Sequence, residues 1–109
     1  MTPAVFRKIA LSMPGAIESS HMGHPDFRAN RKIFSTLAPD MKRGMVKLTP
    51  ELQREMIAEN PKMFAPENGA WGLQGCTRVN LKDADADTLG RAMTEAWKLS
   101  AVKPAKRKK

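Results

Sequence analysis

The sequence predicts a single α+β domain, an antiparallel sheet packed against helices. Three observations point there. Apolar stripes of helical period occur near the start, middle and end of the chain. Between them lie short segments whose apolar residues alternate with period two. The connections between those segments are too short for helical crossovers, so neighbouring strands must run antiparallel. At 109 residues the chain has material for one modest core.

The first helix opens at Thr2-Pro3, with Thr as N-cap and Pro at the first helical position. Phe6, Ile9, Ala10 and Met13 form its stripe, and Pro14-Gly15 ends it. Ile17 to Met22 reads as a short strand, followed by a bend at Gly23-His-Pro25. Phe27 to Ala29 and Lys32 to Leu37 read as a hairpin turning at Asn30-Arg31. Asn tolerates the positive φ of a tight turn, Arg less well. Strict alternation then puts Ile33, Ser35 and Leu37 on one face and Phe34 and Thr36 on the other.

Pro39 to Gly44 is the next turn, and Met45 to Leu48 a strand, with Lys47 facing away from Val46 and Leu48. Thr49-Pro50 opens a second helix, whose apolar side is Leu52, Met56 and Ile57 and whose end is Asn60-Pro61. Residues 61–70 read as a loop pinned by Met63 and Phe64. Trp71 to Leu81 reads as one long strand, with Gly72 and Gly75 marking a bulge, a bend or a close backbone approach. Leu89, Ala92, Met93, Ala96 and Trp97 give the last helix its stripe, and Phe6, Ile9, Leu89, Met93 and Trp97 are expected in one core. The domain is thus expected over residues 1–100, with 101–109 a basic, disordered tail.

Hydrophobic residues make up 41% and charged residues 28%, a globular balance. The single Cys excludes an intrachain disulfide and a thiolate cluster. No apolar run approaches a membrane span, and the chain opens on a capped helix instead of an apolar signal core. A monomer in the cytoplasm, with no membrane association, is expected. Net charge is +8, and Lys103, Lys106, Arg107, Lys108 and Lys109 supply five of those charges. The other 14 basic and 11 acidic residues leave +3, so the basic balance is largely the tail's. Such a chain favours a polyanionic partner.

Motifs for catalysis are weak. His21 and His24, with Asp26 close by, lack a third nitrogen or sulfur ligand, so no metal is expected; the plainer role is hydrogen bonding at the Pro25 bend. Asp83, Asp85 and Asp87 imitate a calcium loop, but Thr88 and Thr94 stand where it needs Gly and Glu. They read instead as acids at the positive end of the last helix. Cys76 has no base near it in sequence and reads as a small buried residue. No phosphate-binding glycine loop, zinc-protease helix or nucleophile elbow is present. Neither an enzyme nor a cofactor is expected.

The basic residues are the stronger lead. Arg28, Arg31 and Lys32 lie on the hairpin, Lys42 and Arg43 on the following turn, Arg78 on the long strand, Lys106 and Arg107 in the tail. A cationic ribbon can contact phosphates and read a groove, although charged turn tips also occur as plain solvated surface. The expected partner is nucleic acid, double-stranded DNA, with Gln74 a candidate for a base edge. The alternative is a protein- or small-ligand-binding module using His24, Trp71 and Cys76. A third possibility is an enzyme with His24 as base.

Gly-His-Pro-Asp-Phe-Arg (23–28), Lys-Ile-Phe (32–34), Val-Lys-Leu-Thr-Pro-Glu (46–51), Trp-Gly…Gly (71–75) and Glu-Ala-Trp (95–97) occur in an order that resembles the MmcQ/YjbR family. The resemblance covers nearly the whole chain except the tail. It implies an α+β fold similar to that of CyaY, the bacterial frataxin homologue, in a double-wing arrangement. It also implies a DNA-binding role, with no catalytic residues to carry over. The chain departs from the family at Cys76, where a bulky aromatic is expected, and at Asn30-Arg31, where small residues are more usual. Frataxin-type iron binding does not transfer, because the first helix carries Arg7 and Lys8 and no acid.

Overall fold

The two Thr-Pro pairs act as the sequence predicts. Thr2 Oγ1 accepts from Val5 N (3.2 Å) at the start of helix α1 (Pro3–Leu11). Thr49 Oγ1 accepts from Leu52 N (3.1 Å) at the start of α2 (Pro50–Glu59). In this computed structural model, which describes residues 1–21 and 23–101, strands β1 (Ile17–His21), β2 (His24–Ala29), β3 (Lys32–Leu37) and β4 (Arg43–Lys47) run between those helices. After α2 come β5 (Phe64–Pro66), the short helix α3 (Gly69–Leu73), β6 (Cys76–Asn80), a 3-10 turn at Leu81–Asp83 and helix α4 (Ala86–Ala101). The six strands form one antiparallel sheet in the order β1-β2-β3-β4-β6-β5. The architecture is therefore α+β. No helix among the described residues is long and apolar enough to cross a membrane.

Helices α1, α2 and α4 lie on one side of the sheet, where Ile9, Leu52, Met56 and Thr94 border a common hollow. Phe6, Phe27, Phe34, Leu37, Val46, Val79, Leu89 and Met93 fill the space beneath them, all fully buried. Phe6 and Phe27 meet at a ring-centroid distance of 6.1 Å. The opposite, outer face carries a straight row in register: Asp26, Thr36, Met45, Arg78 and Ala65.

Three local expectations change. The first is β3. Phe27 pairs with Ser35 and Arg28 with Ile33, so Phe34 is the extra residue of a bulge. Alternation assumes unbroken pairing, and one inserted residue shifts every side chain beyond it. Phe34, Ser35 and Leu37 are consequently all buried, while Ile33 and Thr36 border a hollow on the outer face. Ser35 Oγ is satisfied by donating to Met45 O (2.7 Å).

The second is the segment from Met63 to Leu81. Met63 and Phe64 are buried as expected, but Phe64–Pro66 forms the edge strand β5 on β6. The long strand begins only at Cys76, because residues 69–73 are helical. Both glycines mark close backbone approaches. A Cβ on Gly72 would stand 1.9 Å from Glu67 O, and one on Gly75 (φ 109°) 1.9 Å from Leu48 O. The third is Trp97. Leu89, Ala92, Met93 and Ala96 are buried, but Trp97 sits half-buried at the rim, its Nε1 donating to Pro14 O (2.7 Å). Ile9 likewise packs against the core from its margin.

Asp85 caps α4: its Oδ2 accepts from Thr88 N (2.8 Å). That hydrogen bond holds the carboxyl below the usual aspartate range.

Two outcomes follow from this geometry. Phe34→Ala should cost about 3–5 kcal/mol in urea unfolding, and Ile33→Ala much less, the reverse of what strict alternation requires. A lowered carboxyl pKa stabilises the fold above the unfolded value of about 3.9 and loses that contribution as pH falls through the folded value. Asp85→Asn keeps a capping side chain but not the charge, so its melting temperature should fall less steeply than the parent's below about pH 4.

Candidate functional site

The outer face is built around the β2–β3 turn. Asn30 (φ 53°) and Arg31 (φ 67°) both take positive φ, as a two-residue type I′ turn requires. Arg31 holds that conformation at a cost on the order of 1 kcal/mol. Asn30 Nδ2 donates to Ser100 O (3.4 Å), tying the turn to the last residues of α4.

Three hollows mark this face. The first, about 570 Å³, lies where the turn, the end of α4 and the α3–β6 junction meet. Arg28, Arg31 and Lys32 line it from the hairpin, Lys47 from β4, and Trp71 and Gln74 from α3 and its C-cap. The second, about 400 Å³, joins it across the sheet and brings together His24, Trp71 and Cys76 over Ile33, Thr36 and Met45. Ile33, Lys47, Trp71 and Cys76 belong to both. Trp71, 63% exposed, therefore stands at the boundary between them. The third, about 300 Å³, gathers Lys42, Arg43 and Arg78 with Lys62.

The six cations predicted from the strands and turns thus fall into two groups. Lys47 and Arg43, one from each hollow, stand four residues apart on β4, about 13 Å at roughly 3.3 Å per residue. Lys47 is absent from the predicted set, although its outward position on β4 was a readable signal. Lys62 gives no such signal, because only the fold brings residues 61–65 beside β6. Lys106 and Arg107 lie outside the described residues, but the chain leaves α4 beside the first hollow, which Ser100 lines.

The cations differ in what holds them. Arg28 makes a two-pronged pair with Asp26, Nε to Oδ1 at 2.8 Å and Nη2 to Oδ2 at 3.1 Å, and Asp26 is fully buried. Donating to the Asp26 carboxylate raises the guanidinium pKa further, against the opposing effect of desolvation. Arg78 pairs with Glu67 at 3.1 Å and Arg43 with Asp40 at 3.7 Å. Among the described residues, Arg31, Lys32, Lys42, Lys47 and Lys62 have no carboxylate within ion-pair distance.

Cys76 is 5% exposed, and burial pushes its thiol pKa up; Lys47 opposes that shift and Glu67 adds to it. A thiol held protonated is a poor nucleophile. The register sets His21 opposite His24 across β1 and β2. Among the described residues, no three His, Cys, Asp or Glu side chains gather where one ion could be held.

A family model, YjbR, matches residues 11–99. The crystal structure of the Deinococcus radiodurans protein DR2400, with the family domain DUF419, superposes with a TM-score of 0.75 over 90% of this chain and 77% of that one. At 19% identity it shares the fold. No curated protein matches. The chain belongs to the YjbR family, as the match over residues 11–99 shows.

A raised thiol pKa and a buried sulfur should together make Cys76 slow to react. Labelling of the native protein by an aromatic disulfide reagent at neutral pH should run at least about tenfold slower than in denaturant. It should accelerate only at pH above the ordinary thiol range.

Proposed function

We propose that this YjbR-family domain binds DNA through the outer face of its sheet, as a single chain and without catalysing a reaction on it. One observation carries the reading: Arg28, Arg31, Lys32 and Lys47, from three strands and the turn between two of them, converge on one hollow, and only Arg28 is committed to a carboxylate. Side chains of one sign, held close by a fold, create a local positive potential that favours an anionic partner. Lys42, Arg43, Lys62 and Arg78 offer a second contact point about 13 Å along β4 by strand rise. Lys106 and Arg107 add charge on the segment that follows α4. Each phosphate neutralised by a cation releases condensed counterions, so affinity falls steeply with salt.

Arg28 has a different part from the other three. Its pair with the buried Asp26 makes it a structural cation that shapes the wall of the hollow. Phosphate contact rests on Arg31, Lys32 and Lys47.

A second reading has its own observation. The 400 Å³ hollow does bring His24, Trp71 and Cys76 together over the apolar Ile33 and Met45, the mix of surfaces that small-ligand sites show. Lys47 lines it together with Glu67, whose charge is met by Arg78.

Arg31→Ala with Lys32→Ala removes two exposed charges and no core atom, so the fold should be nearly unaffected. Fluorescence anisotropy on short DNA should show weaker binding and a log–log salt slope flatter by about two units. Deleting residues 103–109 should also weaken binding, but by less per charge removed than the Arg31/Lys32 change. An effect of the tail deletion alone would make the domain a passenger. No binding at low salt would remove the DNA reading and leave the His24–Trp71–Cys76 hollow.

A further inference from the structure

We infer that the DNA this face prefers is a strand with unpaired bases, one of which stacks on Trp71; the inference rests on the DNA-binding reading above. A ribbon alone suggests a duplex groove. The surroundings of Trp71 suggest otherwise.

Trp71 is the larger of the two most exposed apolar side chains on α3, and folding gives no reason for its exposure. The backbone that carries it is nevertheless fixed. The carbonyl of the next residue, Gly72, accepts from the buried Gln53 amide (3.0 Å), and Gly72 itself lies too close to Glu67 O for any side chain. An aromatic ring on a fixed backbone loses little freedom when something stacks on it.

Trp71 shares the first hollow with Arg31, Lys32 and Lys47, suited to phosphate. It also borders the adjoining 400 Å³ hollow, lined by the apolar Ile33 and Met45 and by Lys47, which belongs to both. Phosphate-binding charge and a largely apolar recess with room for a base thus meet at one indole, the combination by which single strands are held. In the interior of a duplex both faces of each base are covered by its neighbours, so the indole finds no free face to stack on. Thr36 and Asn68 border the recess and can meet the edge of an inserted base.

Titration of the full chain with a short oligothymidine, a duplex of equal length and a free thymidine monophosphate tests this. The oligothymidine should bind more tightly than the duplex at equal salt and quench tryptophan emission. Trp71→Ala should weaken oligothymidine binding by at least about fivefold, with duplex binding unchanged, and remove the quench. Trp71→Phe should keep most of the affinity but not the quench. The other tryptophan, Trp97, is fixed to Pro14 O and should not respond. Equal loss on both DNAs, or none on Trp71→Ala while the Arg31/Lys32 double variant still fails, overturns the inference and leaves DNA binding intact. Mononucleotide binding as tight as the oligomer's also overturns it, in favour of a small-ligand pocket. No binding to either DNA removes both readings.

Discussion

Gln53 is a polar side chain in a place where helices usually put an apolar one. It is 7% exposed on α2, and its Nε2 donates to two carbonyls, Gly72 O at 3.0 Å and Cys76 O at 2.9 Å. A buried amide without partners would cost roughly 1–3 kcal/mol per orphaned group, so the three elements are bound to a narrow set of positions. Gly72 and Gly75 make the approach possible, and any other residue at either would collide with backbone. The seat of α3, the start of β6 and the placement of Trp71 and Gln74 all depend on this junction. Without it the outer face would keep its cations but lose the wall opposite them.

Features legible in the sequence were those fixed by near neighbours. Both Thr-Pro caps, the turn at Asn30-Arg31, the apolar stripe of α4 and the pinning role of Met63 and Phe64 are local or nearly so. The α+β class followed from them, and the quoted motifs led to the YjbR family. What escaped was set at long range. The bulge at Phe34 is a property of how β3 pairs with β2, and no residue in β3 signals it. The helix at 69–73, where the sequence predicts a strand, is docked by Gln53, some twenty positions earlier, which donates to the Gly72 carbonyl. Trp97 keeps the helical phase of its stripe, but Pro14 draws its indole to the rim.

Charge followed the same division. Counting basic residues found the hairpin and the turn after it, but not which of them were already engaged. Asp26 is two residues from Arg28, and its full burial is visible only once the sheet covers it. Glu67 reaches Arg78 across the β5–β6 pair. A cation locked to a buried acid and a cation in water have the same letter in a sequence and different roles in a structure.

Arg31 exposes a conflict within one residue. Its left-handed backbone, at φ 67°, is one that glycine adopts without strain. A glycine there would relax the turn and firm the hairpin, yet it would also strip a cation from the rim of the cleft. Selection for a more stable fold and selection for a more positive face therefore push this position in opposite directions, a trade-off of stability against function. If the charge is dispensable, unstrained turns should accumulate when variants are chosen for thermal endurance alone. If it is needed, such variants should gain endurance and lose their hold on anions together.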